Sequence, residues 1–127
     1  MTNQNPKILL VEDEDFMIMV FTKELVKAGF INLKVVTNGN DVVGEFKKYQ
    51  PDLIVLDILL PGKTGIDALK EIRELPEGKN VPVIVFSNFD NPEYKERAKE
   101  LNVRDYLVKS NTLVSELVKK IKAISAT

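Results

Sequence analysis

The sequence contains no cysteine and no histidine, and both absences restrict its chemistry. Without cysteine the chain forms neither disulfides nor zinc–thiolate sites, and it has no thiolate nucleophile. Without histidine it lacks the most common general base and the most common transition-metal ligand. Any reaction at this protein must therefore use carboxylates, hydroxyls and amines.

Excess charge and long apolar segments are absent as well. The 127 residues carry 18 Lys and Arg against 19 Asp and Glu, a net charge of −1, so the domain has no overall basic surface for nucleic acid. The longest apolar run, Phe16 to Phe21, is far shorter than the roughly 18 residues of a membrane span. Ile8 to Val11 is too brief for a signal-peptide core. We expect a cytoplasmic protein that contacts neither DNA nor membrane directly.

The length permits one compact domain. We expect its core to extend from about residue 7 to about residue 124, after a short polar leader, with no output domain in the chain. Repeats and low-complexity segments are absent from the sequence.

Short apolar runs rich in β-branched residues alternate with longer amphipathic stretches, a pattern typical of βαβ units and a parallel sheet. Because the apolar runs show no polar alternation, we expect each strand to be buried on both faces. The predicted strands are Ile8 to Val11, Leu33 to Val36, Leu53 to Leu56, Val83 to Phe86 and Tyr106 to Val108. The predicted helices are approximately Asp15 to Ala28, Asn40 to Tyr49 (capped by Asn40 or Asp41), Thr64 to Leu75, Asn91 to Leu101 and Thr112 to Ile124. Right-handed crossovers then give an α/β (βα)5 fold, a doubly wound parallel five-stranded sheet with helices on both faces.

Polar residues follow four of the five strands, at the edge where ligands bind in such folds. Strand one runs into the acids 12 to 15, strand three into Asp57, strand four into Ser87 and strand five into Lys109. Each has a simple structural explanation when taken alone. Carboxylates at a helix start gain about 0.3 to 1 kcal/mol each from the helix dipole, Asp57 could be a turn residue, and Ser87 and Lys109 could be an ordinary loop hydroxyl and surface ammonium.

These residues say more together, because parallel strands bring their carboxyl ends to one edge of the sheet. Glu12, Asp13 and Asp57 form a set of hard oxygen ligands suited to Mg²⁺. The Ser87 hydroxyl and the Lys109 ammonium are suited to the oxygens of a phosphoryl group. The sequence therefore predicts a site for phosphoryl transfer.

Almost the whole chain resembles the receiver domain of two-component response regulators. The resemblance implies the flavodoxin-like strand order 2-1-3-4-5. It is carried by Ile8 to Glu14 (ILLVEDE), Leu53 to Gly62 (LIVLDILLPG) with Gly65, Val85 to Ser87 (VFS) and Asp105 to Lys109 (DYLVK).

The resemblance implies that Asp57 is the phosphoacceptor. It would take a phosphoryl group from the phosphohistidine of a histidine kinase or a phosphotransfer protein and form an aspartyl phosphate. The protein would catalyse its own phosphorylation and dephosphorylation. The implied cofactor is Mg²⁺, bound by Glu12, Asp13, Asp57 and the backbone carbonyl of Leu59.

Two further roles are implied by the same resemblance. Lys109 would pair with Asp57 at rest and with a phosphoryl oxygen afterwards, and the Ser87 hydroxyl would move in to bond another oxygen. The space that Ser87 leaves would let Tyr106 turn inward as part of the switch. The output would pass to an effector through the surface of helix four, strand five and helix five, with phosphorylation-dependent homodimerisation left open.

Some positions depart from the family pattern. Ser110 stands where the family usually has a proline joined to the lysine by a cis bond, and Asn88 replaces a small residue and is expected to narrow access to Asp57. Leu59 and Phe89 are apolar at positions that tune the entry of hydrolytic water, which predicts slow self-dephosphorylation.

Three other functions stay open. A pseudo-receiver would signal by protein contact alone, and Ser110 and Asn88 favour it while the intact acids and Lys109 do not. A Mg²⁺-dependent phosphatase would also use an aspartate nucleophile. Such enzymes carry an Asp-x-Asp motif after the strand, whereas this chain has Leu59 in place of the second aspartate. A flavin-binding protein would need a phosphate cradle rather than acids after strand one.

Overall fold

The computed structural model describes residues 5–126 and places five parallel strands in one sheet. The strands are β1 (Lys7–Val11), β2 (Asn32–Val36), β3 (Leu53–Leu56), β4 (Val83–Ser87) and β5 (Asp105–Val108). Their order is β2-β1-β3-β4-β5, and every neighbouring pair is parallel. The α/β (βα)5 fold and the strand order are therefore confirmed.

Within residues 5–126, five helices connect and cover these strands. They are α1 (Asp15–Lys27), α2 (Val42–Tyr49), α3 (Gly65–Glu74), α4 (Pro92–Glu100) and α5 (Val114–Ser125). Short 3₁₀ turns at Gly39–Asp41, Pro76–Gly78 and Lys109–Asn111 complete the connections. Within the described residues, no helix is long and apolar enough to cross a membrane.

Successive residues of the central strands pack against helices on opposite faces of the sheet. Ile8 and Leu10 pack with residues of α1 and α5, while Leu9 and Val11 pack with residues of α2 and α3. A strand covered on both sides needs apolar residues at every position. This explains why the central strands show no polar alternation.

The two edge strands differ from the prediction of burial on both faces. In β5 every residue is only partly buried, and in β2 only Val36 is fully buried. Lys34 of β2 is exposed and lies 3.6 Å from Glu45 of α2. An edge strand has a sheet neighbour on one side only, so its other side is open to solvent and its residues are less completely buried than those of the central strands. The prediction is therefore wrong for β2 and β5.

The start of α2 also differs from the prediction. Asp41, one of the two predicted caps, occupies the N-cap position, but its side chain makes no capping hydrogen bond. A 3₁₀ turn comes first, and Asn38 accepts a hydrogen bond from the backbone N–H of Asn40 at 2.8 Å. The turn is fixed from the other side, since a Cβ at Gly39 would lie 1.6 Å from the carbonyl oxygen of Lys63. The loop after β2 thus packs against the loop after β3.

Helix α3 packs closely against the end of β3. Thr64 caps the helix by accepting a hydrogen bond from the N–H of Asp67, and the N–H of Gly65 donates to the Ile58 carbonyl at 2.8 Å. A Cβ at Gly65 would lie only 2.1 Å from the carbonyl oxygen of Asp57. The absence of a side chain at Gly65 therefore lets α3 pack directly against the backbone of Asp57.

Candidate functional site

The carboxyl edge of the sheet holds a pocket of about 160 Å³. It contains the acids of the β1–α1 loop, the residue after β3, the end of β4 and the residue after β5, as expected for parallel strands. The lining residues are Glu12, Asp13, Glu14, Asp57, Leu59, Ser87, Asn88, Phe89 and Lys109. The structure thus brings together all the predicted site residues except Tyr106, which lies beside the pocket on β5.

Asp57 is the most fully bonded carboxylate of the pocket. Its residue is only 6% exposed. One oxygen, Oδ1, accepts hydrogen bonds from the backbone N–H of Ile58 at 2.7 Å and from Ser87 Oγ at 2.5 Å, and Oδ2 accepts one from Lys109 Nζ at 2.9 Å. A buried carboxylate without donors would be costly. These three donors compensate for its loss of water.

Glu12 is even more buried, at 1% exposed, but it is less well bonded. Its Oε2 accepts a hydrogen bond from the Glu14 N–H at 3.1 Å. Its Oε1 lies 2.6 Å from Lys109 Nζ and forms an ion pair with it. Burial raises the pKa of Glu12, and the neighbouring Asp57 adds to the rise while Lys109 opposes it.

Lys109 is the cation that joins the two buried acids. Its side chain is 10% exposed and pairs with both Glu12 and Asp57. Burial by itself would lower the pKa of Lys109, but the contacts with Glu12 and Asp57 outweigh it and raise that pKa. The side chain is therefore charged at neutral pH and fixed at the centre of the pocket.

The acids of the pocket could hold a metal ion. Glu12, Asp13 and Asp57 each offer a carboxylate oxygen, and these atoms lie within 4.8 Å of one another. Three carboxylates face one ammonium, so the cluster keeps an excess of negative charge. Hard oxygen ligands on a partly open pocket suit a divalent cation such as Mg²⁺ that keeps some of its waters. The residues present fit that group.

Ser87 and Tyr106 are connected through the backbone of Phe89. The Phe89 N–H donates to Ser87 Oγ at 3.2 Å, and the Tyr106 hydroxyl donates to the Phe89 carbonyl. The family resemblance implied that Ser87 reaches the acceptor after phosphorylation, but here its hydroxyl already donates directly to Asp57. Burial, together with Asp90 and Asp57, raises the pKa of Tyr106 to about 12.

Sequence reasoning also missed the contact between Asn88 and Ser110. Asn88 lines the pocket, as its expected effect on access requires, but its side-chain oxygen also accepts a hydrogen bond from the backbone N–H of Ser110 at 2.9 Å. No cis peptide bond occurs in residues 5–126, so the Lys109–Ser110 bond is trans. Strand order places the two residues on neighbouring loops, but the bond itself depends on the path of those loops and gave no signal in the sequence.

Known proteins resemble this chain along most of its length. The family model described as "Response regulator receiver domain" matches residues 8–122. The chemotaxis protein CheY of Thermotoga maritima is 33% identical over 103 residues, which cover 81% of this chain and 84% of that protein. The phosphate regulon transcriptional regulatory protein PhoB of Rhizobium meliloti is 29% identical over 119 residues, which cover 94% of this chain but 52% of that protein.

A solved structure gives the same result in three dimensions. The phosphorylated cyanobacterial phytochrome response regulator RcpA superposes with a TM-score of 0.80 at 31% identity, covering 94% of this chain and 91% of that one. The matched family region includes every residue of the pocket. The chain therefore belongs to the response regulator receiver domain family.

Proposed function

We propose that this chain is a phosphoacceptor that takes a phosphoryl group onto Asp57. The observation that carries the proposal is the position of Asp57, buried below an acidic pocket with Ser87 and Lys109 on its two oxygens. In the reaction a carboxylate oxygen attacks phosphorus, the O–P bond forms, and the P–N bond to the histidine of a kinase or phosphotransfer protein breaks. The nitrogen keeps the electron pair of the broken bond.

Lys109 and Ser87 supply the fixed charge and hydrogen bond that the transfer needs. Both already touch Asp57, so each needs only a small movement to reach an oxygen of the incoming phosphoryl group. Donors held in place before the reaction stabilise the charge that develops on those oxygens. Lys109 also lowers the repulsion between the phosphoryl group and the acids of the pocket.

Mg²⁺ is the proposed cofactor. Glu12, Asp13, Asp57 and the backbone carbonyl of Leu59 would hold it. When bound, it neutralises charge on the transferring phosphoryl group and offsets the repulsion from the carboxylates. The excess negative charge of the pocket supports this assignment.

All the groups named for the transfer belong to this chain, so we propose that it catalyses its own phosphorylation and dephosphorylation. A small phosphodonor would then be sufficient in place of the kinase. Hydrolysis would use the same pocket, which the apolar residues Leu59 and Phe89 line, and we propose that their side chains hinder the attacking water. The proposed consequence is slow loss of the phosphoryl group.

The signal would leave through the face formed by α4, β5 and α5. Phe89 bonds to Ser87 through its N–H and to Tyr106 through its carbonyl, so a shift of Ser87 toward a phosphoryl group changes the support of Tyr106. Lys95 of α4 lies over the Tyr106 ring, 5.7 Å from its centre, which links the helix to the same movement. Phosphorylation would shift the equilibrium between two packings of this face, and an effector or a second copy of the chain would read it.

The test is intact mass after incubation with acetyl phosphate and Mg²⁺. We expect one added phosphoryl group, and we expect none with EDTA or in Asp57→Asn. Asp52→Asn is the matched control, because Asp52 lies at the opposite end of β3 and its hydrogen bond to the Lys7 N–H can be kept by an amide oxygen. Addition in Asp57→Asn would contradict the assignment. No addition in the wild type, under conditions that modify another receiver, would favour signalling by protein contact alone.

A further inference from the structure

The loops that carry Ser87 and Lys109 are tied together by one side chain. Asn88 directly follows β4, Ser110 lies in the turn after β5, and the Asn88 Oδ1 atom accepts the Ser110 N–H at 2.9 Å. The register of the two strands pairs Ser87 with Val108, the last residues of their ladder. The Asn88 amide therefore extends the connection between β4 and β5 beyond the point where their backbone ladder stops.

The turn that begins at Lys109 has little other local support. It is a single 3₁₀ turn, it has no side-chain cap at its start, and its closing hydrogen bond from the Thr112 N–H to the Lys109 carbonyl is long at 3.4 Å. Yet this turn fixes the backbone position of Lys109, whose ammonium must reach both Glu12 and Asp57. A hydrogen bond at Ser110, the next residue, is well placed to hold the Lys109 backbone in position.

We propose that Asn88 is a positioning residue for Lys109. Its amide oxygen fixes the Ser110 N–H and thereby the direction from which Lys109 enters the pocket. The same bond makes the Lys109 turn move together with the loop that follows Ser87, so the two groups that contact Asp57 shift as a unit. Only the predicted effect on the phosphorylation rate rests on the proposed function. The effect of Asn88 on the position of Lys109 can be measured in the unphosphorylated protein.

Amide exchange and NMR shifts test the contact in the unphosphorylated protein. In Asn88→Ala we expect faster exchange of the Ser110 amide proton and displaced signals of the Lys109 methylene groups. Ser110→Ala is the matched control, because it keeps the N–H donor and removes only the hydroxyl, and it should leave both signals near those of the wild type. Unchanged Ser110 exchange and Lys109 signals in Asn88→Ala would overturn the proposal, whatever the protein does with phosphodonors.

Phosphorylation kinetics test the consequence. The loss of one hydrogen bond corresponds to a factor of about 3 to 10, so we expect Asn88→Ala to lower the maximal rate with acetyl phosphate by that amount. The Mg²⁺ concentration at half-saturation, followed by the Glu12 and Asp13 amide signals, should not change. An unchanged rate, or a weaker Mg²⁺ response that accounts for the whole loss, would contradict a positioning role.

A substitution that keeps the branched shape of the side chain separates this role from simple lining of the pocket. Asn88→Leu has nearly the shape of asparagine but no acceptor for the Ser110 N–H, so it should lower the phosphorylation rate as Asn88→Ala does. If Asn88→Leu keeps the wild-type rate while Asn88→Ala changes it, then Asn88 acts on access to the pocket and the proposal is wrong.

Discussion

Removing one charge from the acidic cluster should make the metal-free protein more stable. Oxygens of Glu12, Asp13 and Asp57 lie within 4.8 Å of one another, and the two ion pairs of Lys109 go to Glu12 and Asp57. Asp13 is the exposed member of the group. We therefore expect Asp13→Asn to raise the free energy of unfolding in the absence of divalent cations and to weaken the response to Mg²⁺.

The size of the effect follows from Coulomb's law. Two unit charges at the outer separation of 4.8 Å repel by about 0.9 kcal/mol in water and by about 3.5 kcal/mol at an effective dielectric constant of about 20. Asp13 feels two such repulsions and an attraction to Lys109, which leaves roughly one. Because its side chain is exposed and screened by solvent, the lower value applies. Asp13 lies just before the start of α1, so its loss also removes about 0.3 kcal/mol of favourable interaction with the helix dipole, and the expected net gain is about 0.5 kcal/mol.

Urea unfolding followed by far-ultraviolet circular dichroism measures this gain, since the chain has no tryptophan. At ten times its dissociation constant, Mg²⁺ should stabilise the wild type by about 1.4 kcal/mol, and Asp13→Asn should lose most of that. The order of stability of the two proteins should then reverse between EDTA and Mg²⁺.

The exposed Glu77 provides the matched control, because its turn precedes β4 at the opposite edge of the sheet. Glu77→Gln should behave as the wild type in both buffers. The reasoning is refuted if Asp13→Asn is less stable than the wild type in EDTA, or if Mg²⁺ stabilises both proteins equally.

Three further outcomes are expected. Gly65→Ala should lower the free energy of unfolding by about 1 to 3 kcal/mol, because its Cβ would lie 2.1 Å from the acceptor's carbonyl oxygen. Gly44→Ala, in α2 with nothing within 4 Å of the new Cβ, should instead raise it by about 0.5 to 1 kcal/mol, and equal thermal shifts would contradict this. The pKa of Tyr106 is raised to about 12. The contribution of this group to the free energy of unfolding is therefore complete below the ordinary tyrosine pKa of about 10, and it should be lost as the pH rises through 12. Tyr106→Phe should remove the latest step in a spectrophotometric tyrosine titration, whereas an unchanged titration curve would argue against the shift. The double variant Leu59→Asn, Phe89→Glu should lose its phosphoryl group faster than the wild type in a mass-based decay assay, and an equal rate would refute the proposed exclusion of water.

The fold was predictable where the local pattern and the tertiary environment agree. Leu53 to Leu56 was predicted with the observed bounds, because a fully buried strand has apolar residues throughout and polar ones beside it. The edge strands were mispredicted because a short apolar run does not reveal which strands lack a second neighbour. The 3₁₀ turn before α2 was not predicted, because it packs through Gly39 against the Lys63 carbonyl, a contact between loops distant in sequence.

The composition of the site was predictable for a simpler reason. Once the strands are parallel, their direction alone puts Asp57, Ser87 and Lys109 at one edge of the sheet. Contacts between particular atoms were not predictable in this way. Neither the direct bond from Ser87 to Asp57 nor the bond from Ser110 to Asn88 follows from strand order, because both depend on side-chain rotamers and on the path of the loops.

The acidic cluster shows why the site was nevertheless recognisable from the sequence. Four adjacent acids after a buried strand violate the usual rule that like charges are kept apart, and the fold accepts the resulting repulsion with one lysine inside the cluster. Such local violations are expected at functional sites, where stability is lost for the sake of chemistry. Residues that only maintain the fold would have no reason to keep like charges together. If Asp13→Asn stabilises the metal-free protein while it weakens the response to Mg²⁺, the same charge is shown to oppose folding and to support binding.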